Sequence, residues 1–481
     1  NTAMPSDIAV YGLGVMGRNI ALNMADHGLK VAVYNRTASV TDDFVARLPA
    51  DSTIVACHDL AGLTASLARP RTVFLMATAG KVVDLVIEGL LPHLEPGDII
   101  IDGGNSFFKD SQRRWQELAA QGIRFLGVGI SGGEEGARHG PSIMPGGDPA
   151  AWPLVSDIFQ RIAARADDGE PCCRWVGDGG AGHYVKMIHN GIEYGDMQLI
   201  AEAWQLMRDG LGMPSQEIAA TFAGWNQGPL ASYLIEITAE ILKVTEADGS
   251  ARVDHILDAA GQKGTGRWTA IDALELGVPL TLIAEAVFAR TLSAMKQERV
   301  AAAARLGDPR PVFDGDRPAM LDAIHDALYA AKIISYTQGF LQMRQAASEH
   351  GWQLDYGEIA LLWRAGCIIR SRFLDDIKQA FGRDPGLPSL LFDDFFASAV
   401  LDAQPGWREA VTLGVRMGIP LPALGSALSF YDGYRSAVVP ANLLQAQRDY
   451  FGAHTYRRID REAGSSWHTR WTDDQIEEPA E

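Results

Sequence analysis

A short β-prone run, Ile8-Ala9-Val10-Tyr11, leads into Gly12-Leu13-Gly14-Val15-Met16-Gly17, and a helix-like segment reaches Gly28 before a second β-prone run, Lys30-Val31-Ala32-Val33-Tyr34. No other stretch restricts the fold as strongly. Strand, GxGxxG turn, helix and strand make a βαβ unit, which belongs in a parallel sheet covered on both faces. In that context the glycines allow a tight turn and close backbone approach, and the helix N-terminus can receive the pyrophosphate of a dinucleotide. The competing reading is a glycine-rich turn that binds nothing.

The end of the second strand discriminates between dinucleotides. An NAD site usually carries an acidic residue there to bond the ribose 2′-OH, whereas this chain has Asn35-Arg36-Thr37. A guanidinium can bond a 2′-phosphate in a fork and stack on adenine, so NADP is the expected cofactor. Read alone, Arg36 is also compatible with a solvated loop cation. Further strands are predicted at 72–76, 99–101 and 123–128, separated by helical patterns, which gives a parallel, doubly wound α/β sheet of Rossmann type. Ligands in such sheets sit beyond the carboxyl ends of strands. Two of those ends are glycine-rich, Asp102-Gly103-Gly104-Asn105-Ser106 and Ser131-Gly132-Gly133-Glu134-Glu135-Gly136. Both offer clustered backbone N–H groups for a carboxylate, with side-chain hydrogen bonds from Asn105 and Ser131. Either loop taken singly is equally a tight structural turn.

At 481 residues the chain is too long for a single core. The expected linker is Gly177-Asp178-Gly179-Gly180-Ala181-Gly182, beyond which helical periodicity dominates to about residue 435, as in 320–347 and 357–381. The expected organisation is a Rossmann-type domain over 1–178, a large all-α domain over 179–440 and an extended C-terminal tail over 441–481. A net charge of −18 argues against nucleic acid or an anionic membrane as the main partner, so any phosphate site must be built from a few placed cations. Four cysteines without a CxxC pair fit a reducing cytoplasm. No apolar run approaches the length of a membrane span, and no HExxH or paired CxxC points to a metal.

The stretch from Ala181 to Asp196 places Lys186, His189, Asn190, Glu193 and Tyr194 at i, i+3, i+4, i+7 and i+8, one face of a helix, with Val185, Ile188, Ile192 and Leu199 opposite. A base, an acid, an amide, an imidazole and a phenol on one stripe is how a helix would present an active site. An ordinary amphipathic surface helix has the same pattern. Gly191 and Gly195 each cost roughly 1 kcal/mol relative to alanine inside a helix, which suggests close approach of another backbone or a ligand. Downstream, Gly261-Gln262-Lys263-Gly264-Thr265-Gly266 lacks the GK[ST] ending of a Walker A loop. With Arg290 it would make a small phosphate cradle, although composition alone favours a plain loop. The polar end of the chain, after Gln445 to His454, carries Trp467 and Trp471. It has too little apolar content to fold by itself, yet the tryptophans imply docking, with a second subunit as a candidate surface.

The motifs GLGVMG with NRT, DGGNS, SGGEEGARHGPSIMPGG, GHYVKMIHNGIEYGDMQLI, WNQGPLASYLIEIT, GQKGTGRWT and QRDYFGAHTY together closely resemble the 6-phosphogluconate dehydrogenase family over essentially the whole chain. That resemblance implies NADP-dependent oxidative decarboxylation of 6-phosphogluconate to ribulose 5-phosphate in the oxidative pentose phosphate pathway. It implies Lys186 as general base, made neutral by desolvation and by neighbouring cations such as Lys263, and Glu193 as the acid that protonates C1 of the enediol. By the same resemblance Asn105, Ser131, Gly132, Gly133, His189 and Asn190 hold the substrate carboxylate and hydroxyls. Tyr194, Lys263, Thr265, Arg290 and Arg448 hold its phosphate with His454 nearby, the last two coming from the partner subunit of a homodimer. The cofactor is assigned to Gly12, Leu13, Gly14, Val15, Met16, Gly17, Asn35, Arg36, Thr37, Met76, Ala77, Thr78 and Asn105. Thr78 stands where the family often has lysine, a departure that bears on the strength of cofactor binding. The nearest rival is a metal-free β-hydroxyacid dehydrogenase of the 3-hydroxyisobutyrate type, which would need neither the phosphate set nor so long a helical domain. A non-catalytic NADP sensor would have no use for Lys186 and Glu193 together.

Overall fold

Eight strands form one sheet in the computed structural model, which describes residues 4–307 and 309–480. They are β1 (Ile8–Tyr11), β2 (Val31–Tyr34), β3 (Val55–Ala56), β4 (Thr72–Leu75), β5 (Ile99–Asp102), β6 (Arg124–Ser131), β7 (Ser142–Gly147) and β8 (Gly177–Asp178). Their order across the sheet is β3-β2-β1-β4-β5-β6-β7-β8. The chain therefore changes direction across the sheet between β1 and β4, the switch point at which doubly wound sheets open a crevice for a dinucleotide. Period-2 alternation divides the strand side chains between two cores. Ile8, Val10, Ile99 and Ile101 pack with Phe159 on one face, and Ala9, Val73, Leu75 and Ile100 pack with Phe125 on the other.

The sheet departs from the all-parallel expectation at β7, which runs antiparallel to β6. The segment between Ser131 and Ser142 is too short for a parallel crossover, which needs about a dozen residues or more. Nor is 177–182 a free linker. Gly177 and Asp178 pair with β7 as β8, and a helix begins at Ala181.

Beyond β8 the chain is mainly helical, led by the central helix Ala181–Gln205. The long helix Arg317–His350 packs on it closely: a Cβ added at Gly339 would lie 2.8 Å from Ile192. The periodicity over 357–381 resolves into two helices, Tyr356–Leu362 and Phe373–Arg383. Between them the chain leaves helical geometry at Gly366, whose carbonyl accepts a hydrogen bond from the Ser142 amide of β7 at 2.9 Å. Tertiary bonding thus overrides a helical pattern there.

The described residues divide into two compact units, one ending at Leu428 and one beginning at Ser429. The second contains the helix Ala441–Gly452 and an antiparallel pair, β9 (Trp467–Thr469) and β10 (Glu477–Pro479). Its contacts are largely polar and centre on Asp449, so the tail makes up for its low apolar content with hydrogen bonds. Trp471 docks on this unit's own Asp449. No helix among the described residues is long and apolar enough to cross a membrane.

Candidate active site

The segments predicted to bind the cofactor all lie at carboxyl ends of parallel strands: 12–17 after β1, 35–37 after β2, 76–78 after β4 and Asn105 after β5. Gly12 has φ +101°, and a Cβ there would lie 2.5 Å from the Met76 carbonyl oxygen. Gly17 packs on the backbone of Gly12, whereas a Cβ at Gly14 would meet nothing within 4 Å. The first and third glycines therefore close the turn, and the middle one leaves the helix N-terminus open to an anion. Leu13 N–H donates to Asn35 Oδ1 at 2.9 Å, tying the turn to the end of β2. Arg36 beside it is exposed and has no carboxylate partner among the described residues. Thr78 is also exposed.

The central helix is not an amphipathic surface helix. Lys186, His189, Asn190 and Tyr194 are buried, as are Val185, Ile188 and Ile192 on the other side. Both glycines lie under close neighbours: a Cβ at Gly191 would fall 2.8 Å from Thr269, and one at Gly195 would fall 2.7 Å from Ser335 Oγ. Lys186 packs its side chain on Gly129 of β6 and donates from Nζ to Asn190 Oδ1 at 2.6 Å. His189 Nδ1 lies 3.0 Å from the same Oδ1 and its Nε2 lies 3.4 Å from Ser131 Oγ. With Asn190 Oδ1 accepting, Nδ1 carries the hydrogen and Nε2 accepts from the Ser131 hydroxyl.

Burial acts on these groups in opposite senses. It lowers Lys186 to about 8, against the pull of Glu193 and Cys367. No cation among the described residues contributes, and Lys263 is exposed on its loop, so desolvation alone lowers the lysine. Burial raises Glu193, with Lys186 and Arg290 opposing. Burial and then Lys186 push His189 down to about 3, so the imidazole is neutral. An amine that gives up its proton more readily and a carboxyl that holds its proton more tightly, two turns apart on one helix, suit a base and an acid acting on one substrate.

The predicted phosphate residues converge in part. The Arg290 guanidinium lies 3.7 Å from the Tyr194 ring centroid and donates to the Gly261 carbonyl at 3.0 Å. A Cβ at Gly266 would meet the other side of this cluster, 2.4 Å from the Tyr194 ring. Thr265 begins the helix Thr265–Leu276 directly after Gly264, and Lys263 remains exposed with no ion pair among the described residues. Ser131 closes β6, and Gly132 turns the chain at φ +112°. Asn105 and Gly133 are exposed, and no hydrogen bond ties Asn105 to the central helix among the described residues. Arg448 and His454 lie in the second unit, both exposed. His454 is flanked by two non-glycine residues in left-handed conformation, Ala453 at φ +49° and Thr455 at φ +69°, a costly geometry that displays the imidazole at a fixed turn.

Two contributors escaped the sequence reading. Asp102 accepts from the Gly104 amide at 3.0 Å and from Ser106 Oγ at 2.5 Å, shaping the loop that carries Asn105. An aspartate followed by two glycines is an Asx-turn signal that points to this. The loop 363–372 backs the Ser131 turn: Trp363 lies edge-on to His189 with ring centroids 5.6 Å apart, and Gly366 O would be 2.4 Å from a Cβ at Gly132. Gly366 interrupting a helical pattern is its only sequence trace.

A dinucleotide turn at the switch point, joined to a helix bearing a buried lysine shifted down and a carboxyl shifted up, defines a nicotinamide-dependent oxidoreductase of α/β plus all-α architecture. Residues 7–177 match the model for the NAD binding domain of 6-phosphogluconate dehydrogenase, and residues 182–471 match that for its C-terminal domain. The chain is 58% identical to the decarboxylating 6-phosphogluconate dehydrogenase of Ovis aries, covering 97% of each chain. It is 55% identical to that of Haemophilus influenzae, covering 98% of this chain and 97% of the other. A Plasmodium falciparum 6-phosphogluconate dehydrogenase, solved apo, with NADP+ and with 6-phosphogluconate, superposes with a TM-score of 0.94 at 42% identity, covering 97% of this chain and 100% of that one. The chain belongs to the 6-phosphogluconate dehydrogenase family.

Proposed function

We propose that this chain oxidises 6-phospho-D-gluconate with NADP and decarboxylates it, yielding D-ribulose 5-phosphate, CO2 and NADPH. The observation that carries the reading is the central helix, on which one buried environment lowers the Lys186 amine and raises the Glu193 carboxyl. Neutral Lys186 takes the proton of the C3 hydroxyl. NADP, bound by the turn 12–17, supplies the hydride acceptor for C3. Carbon dioxide then leaves from the 3-keto acid, and Lys186 returns its proton to the developing enolate oxygen. Glu193 protonates C1 of the enediol. Asn105, Ser131, Gly132, Gly133, His189 and Asn190 hold the carboxylate and hydroxyls. Tyr194, Lys263, Thr265 and Arg290 hold the phosphate.

Residues 1–178 serve the cofactor, 179–440 the substrate and dimerisation, and 441–481 the partner subunit's site, to which Arg448 and His454 are delivered. The tail helix supports a homodimer, because Leu443, Leu444, Tyr450 and Phe451 leave an apolar face uncovered, with Phe451 73% exposed. The four buried, unpaired cysteines support a reducing cytoplasmic setting.

The test is initial rate on 6-phosphogluconate with NADP and separately with NAD, following reduced cofactor and CO2 together. Equal release of both products, faster with NADP, is expected. Reduction without CO2 would mean a simple hydroxyacid dehydrogenase. Arg36→Glu is expected to reduce the NADP-to-NAD preference by roughly tenfold or more, since a carboxylate would face the 2′-phosphate. An unchanged cofactor ratio would remove Arg36 from the site.

A further inference from the structure

Behind the site, on the side of the central helix that meets the long helix, lies a second group of buried polar side chains that the reaction as written does not use. Asp196 follows Glu193 by three residues, so the two carboxylates are neighbours one turn apart on the helix surface. Asp196 is 6% exposed and Lys332, across from it on the long helix, is 5% exposed. The two line a small, mainly apolar cavity of about 10 Å³ with Leu199, Leu230, Leu234 and Leu328. Asp196 Oδ1 and Ser335 Oγ are buried with no hydrogen-bond partner within 3.5 Å among the described residues, although the Tyr336 hydroxyl lies close enough to Asp196 to favour its carboxylate form. Lys332 makes no ion pair within 4 Å among those residues and stands 5.5 Å from the Phe373 ring. Buried charges left without direct partners are costly and need a reason.

We propose that Asp196 and Lys332 form a buried charge pair that sets the proton affinity of Glu193 from one turn behind it. Asp196 is thus a positioning residue for the acid step. The inference rests on Glu193 being the acid. The charged groups facing Glu193 are Lys186 and Asp196 on its own helix and Arg290 on the helix Thr281–Ser293, while Lys332 and Tyr336 on the long helix face Asp196. Cys367, on the loop after Trp363, faces Lys186 and Tyr336. In front, Lys186 and Arg290 favour the carboxylate form of Glu193 and would strip its proton. Behind, the Asp196 anion opposes them, because like charges at this spacing in a dry site disfavour joint ionisation. Burial, reinforced by the repulsion of Glu193, pushes Asp196 up to about 6, so it is ionised at pH 7 and above. Lys332 limits the effect by balancing that charge.

The test is the pH dependence of kcat for the full-length enzyme at saturating 6-phosphogluconate and NADP. The limb assigned to Glu193 is the one that disappears in Glu193→Gln. Asp196→Asn is expected to move that limb down by about one pH unit, since it leaves Lys332 as an unbalanced buried cation. Lys332→Met is expected to move it up, and the double variant to return it close to the parent position, a restoration that mere loosening of the packing would not give. An unmoved limb in Asp196→Asn, or a displacement that the double variant does not reverse, overturns the proposal. If Asp196→Asn does not fold, Lys332→Met carries the test, and an unmoved or lowered limb overturns it. Glu193→Gln separates the two levels. A profile that keeps every limb in that variant refutes the assignment of the acid itself. Loss of a limb there, with Asp196→Asn unmoved, refutes only the role of the pair.

Discussion

Lys186→Met is expected to lower kcat by about 10⁴-fold, the upper end of what a general base contributes, because the same amine takes a proton in one step and returns it in the next. Methionine fills a similar volume, so the packing against Gly129 survives and NADP affinity is expected to be unchanged. Lys186→Arg is expected to be as inactive, since a guanidinium does not deprotonate in the working range. The parent profile gives an independent check. A lysine at its ordinary value would be only about 0.3% neutral at pH 8. Lowered to about 8 by burial, Lys186 is half neutral there, so kcat/KM is expected to rise as pH rises through that value. The same lowering has a stability consequence. The cost of burying the ammonium is full below the folded value and is relieved as pH rises through it. At pH 7 the methionine variant is therefore expected to melt higher than the parent. If the proposed homodimer shares its sites, Lys186→Met and Arg448→Ala are each expected to be inactive alone, yet to recover activity when co-expressed, because one site per hybrid would have both residues intact. Residual activity in Lys186→Met above about 1% of the parent's would sink the base assignment.

The parts of this site legible in the sequence are those whose chemistry is local. The βαβ run from Ile8 to Tyr34 carries its own turn, and the spacing of Lys186, His189, Asn190, Glu193 and Tyr194 is enough to put them on one face. Spacing does not say what covers that face. It is as consistent with a wet surface helix as with the buried one observed, and only the packing of Thr269 and Ser335 onto Gly191 and Gly195 decides between them. β7 was hidden because Ser142–Gly147 contains Pro145 and two glycines, poor strand formers held in place by pairing with β6. The loop 363–372 was read through as helix, because its break at Gly366 answers to β7 and to Gly132, both more than 200 residues away in sequence. Lys263 was expected to help neutralise Lys186 and does not, since the loop position that suits a phosphate ligand leaves it in solvent.

Asp449→Ala is expected to disorder the tail and abolish turnover while the unit ending at Leu428 stays folded and binds NADP. The carboxylate is fully buried and accepts four hydrogen bonds: from the Thr455 amide at 2.9 Å, the Thr469 amide at 3.0 Å, His468 Nδ1 at 2.8 Å and Trp471 Nε1 at 2.9 Å. A donor left unpaired in a buried site costs about 1–3 kcal/mol, a cost that falls in full only on the buried Thr469 amide, and truncation takes all four bonds from a unit with little apolar core of its own. The Thr455 bond matters most for function, because it stabilises the left-handed turn that displays His454 just beyond the helix that carries Arg448. Asp449→Asn keeps one oxygen acceptor and is expected to fall between parent and alanine. The pH dependence follows from the same bonds. Burial alone would raise Asp449, but the amides, His468 and Trp471 outweigh it and hold the carboxyl below its usual range. Its contribution is therefore present above the unfolded value of about 3.9 and is lost as pH falls through the lower folded value. Limited proteolysis and hydrogen exchange over 441–480 are expected to show fast opening in the alanine variant, together with loss of activity. An alanine variant that exchanges slowly over the tail, or that turns over normally with the tail open, would separate this segment from the active site.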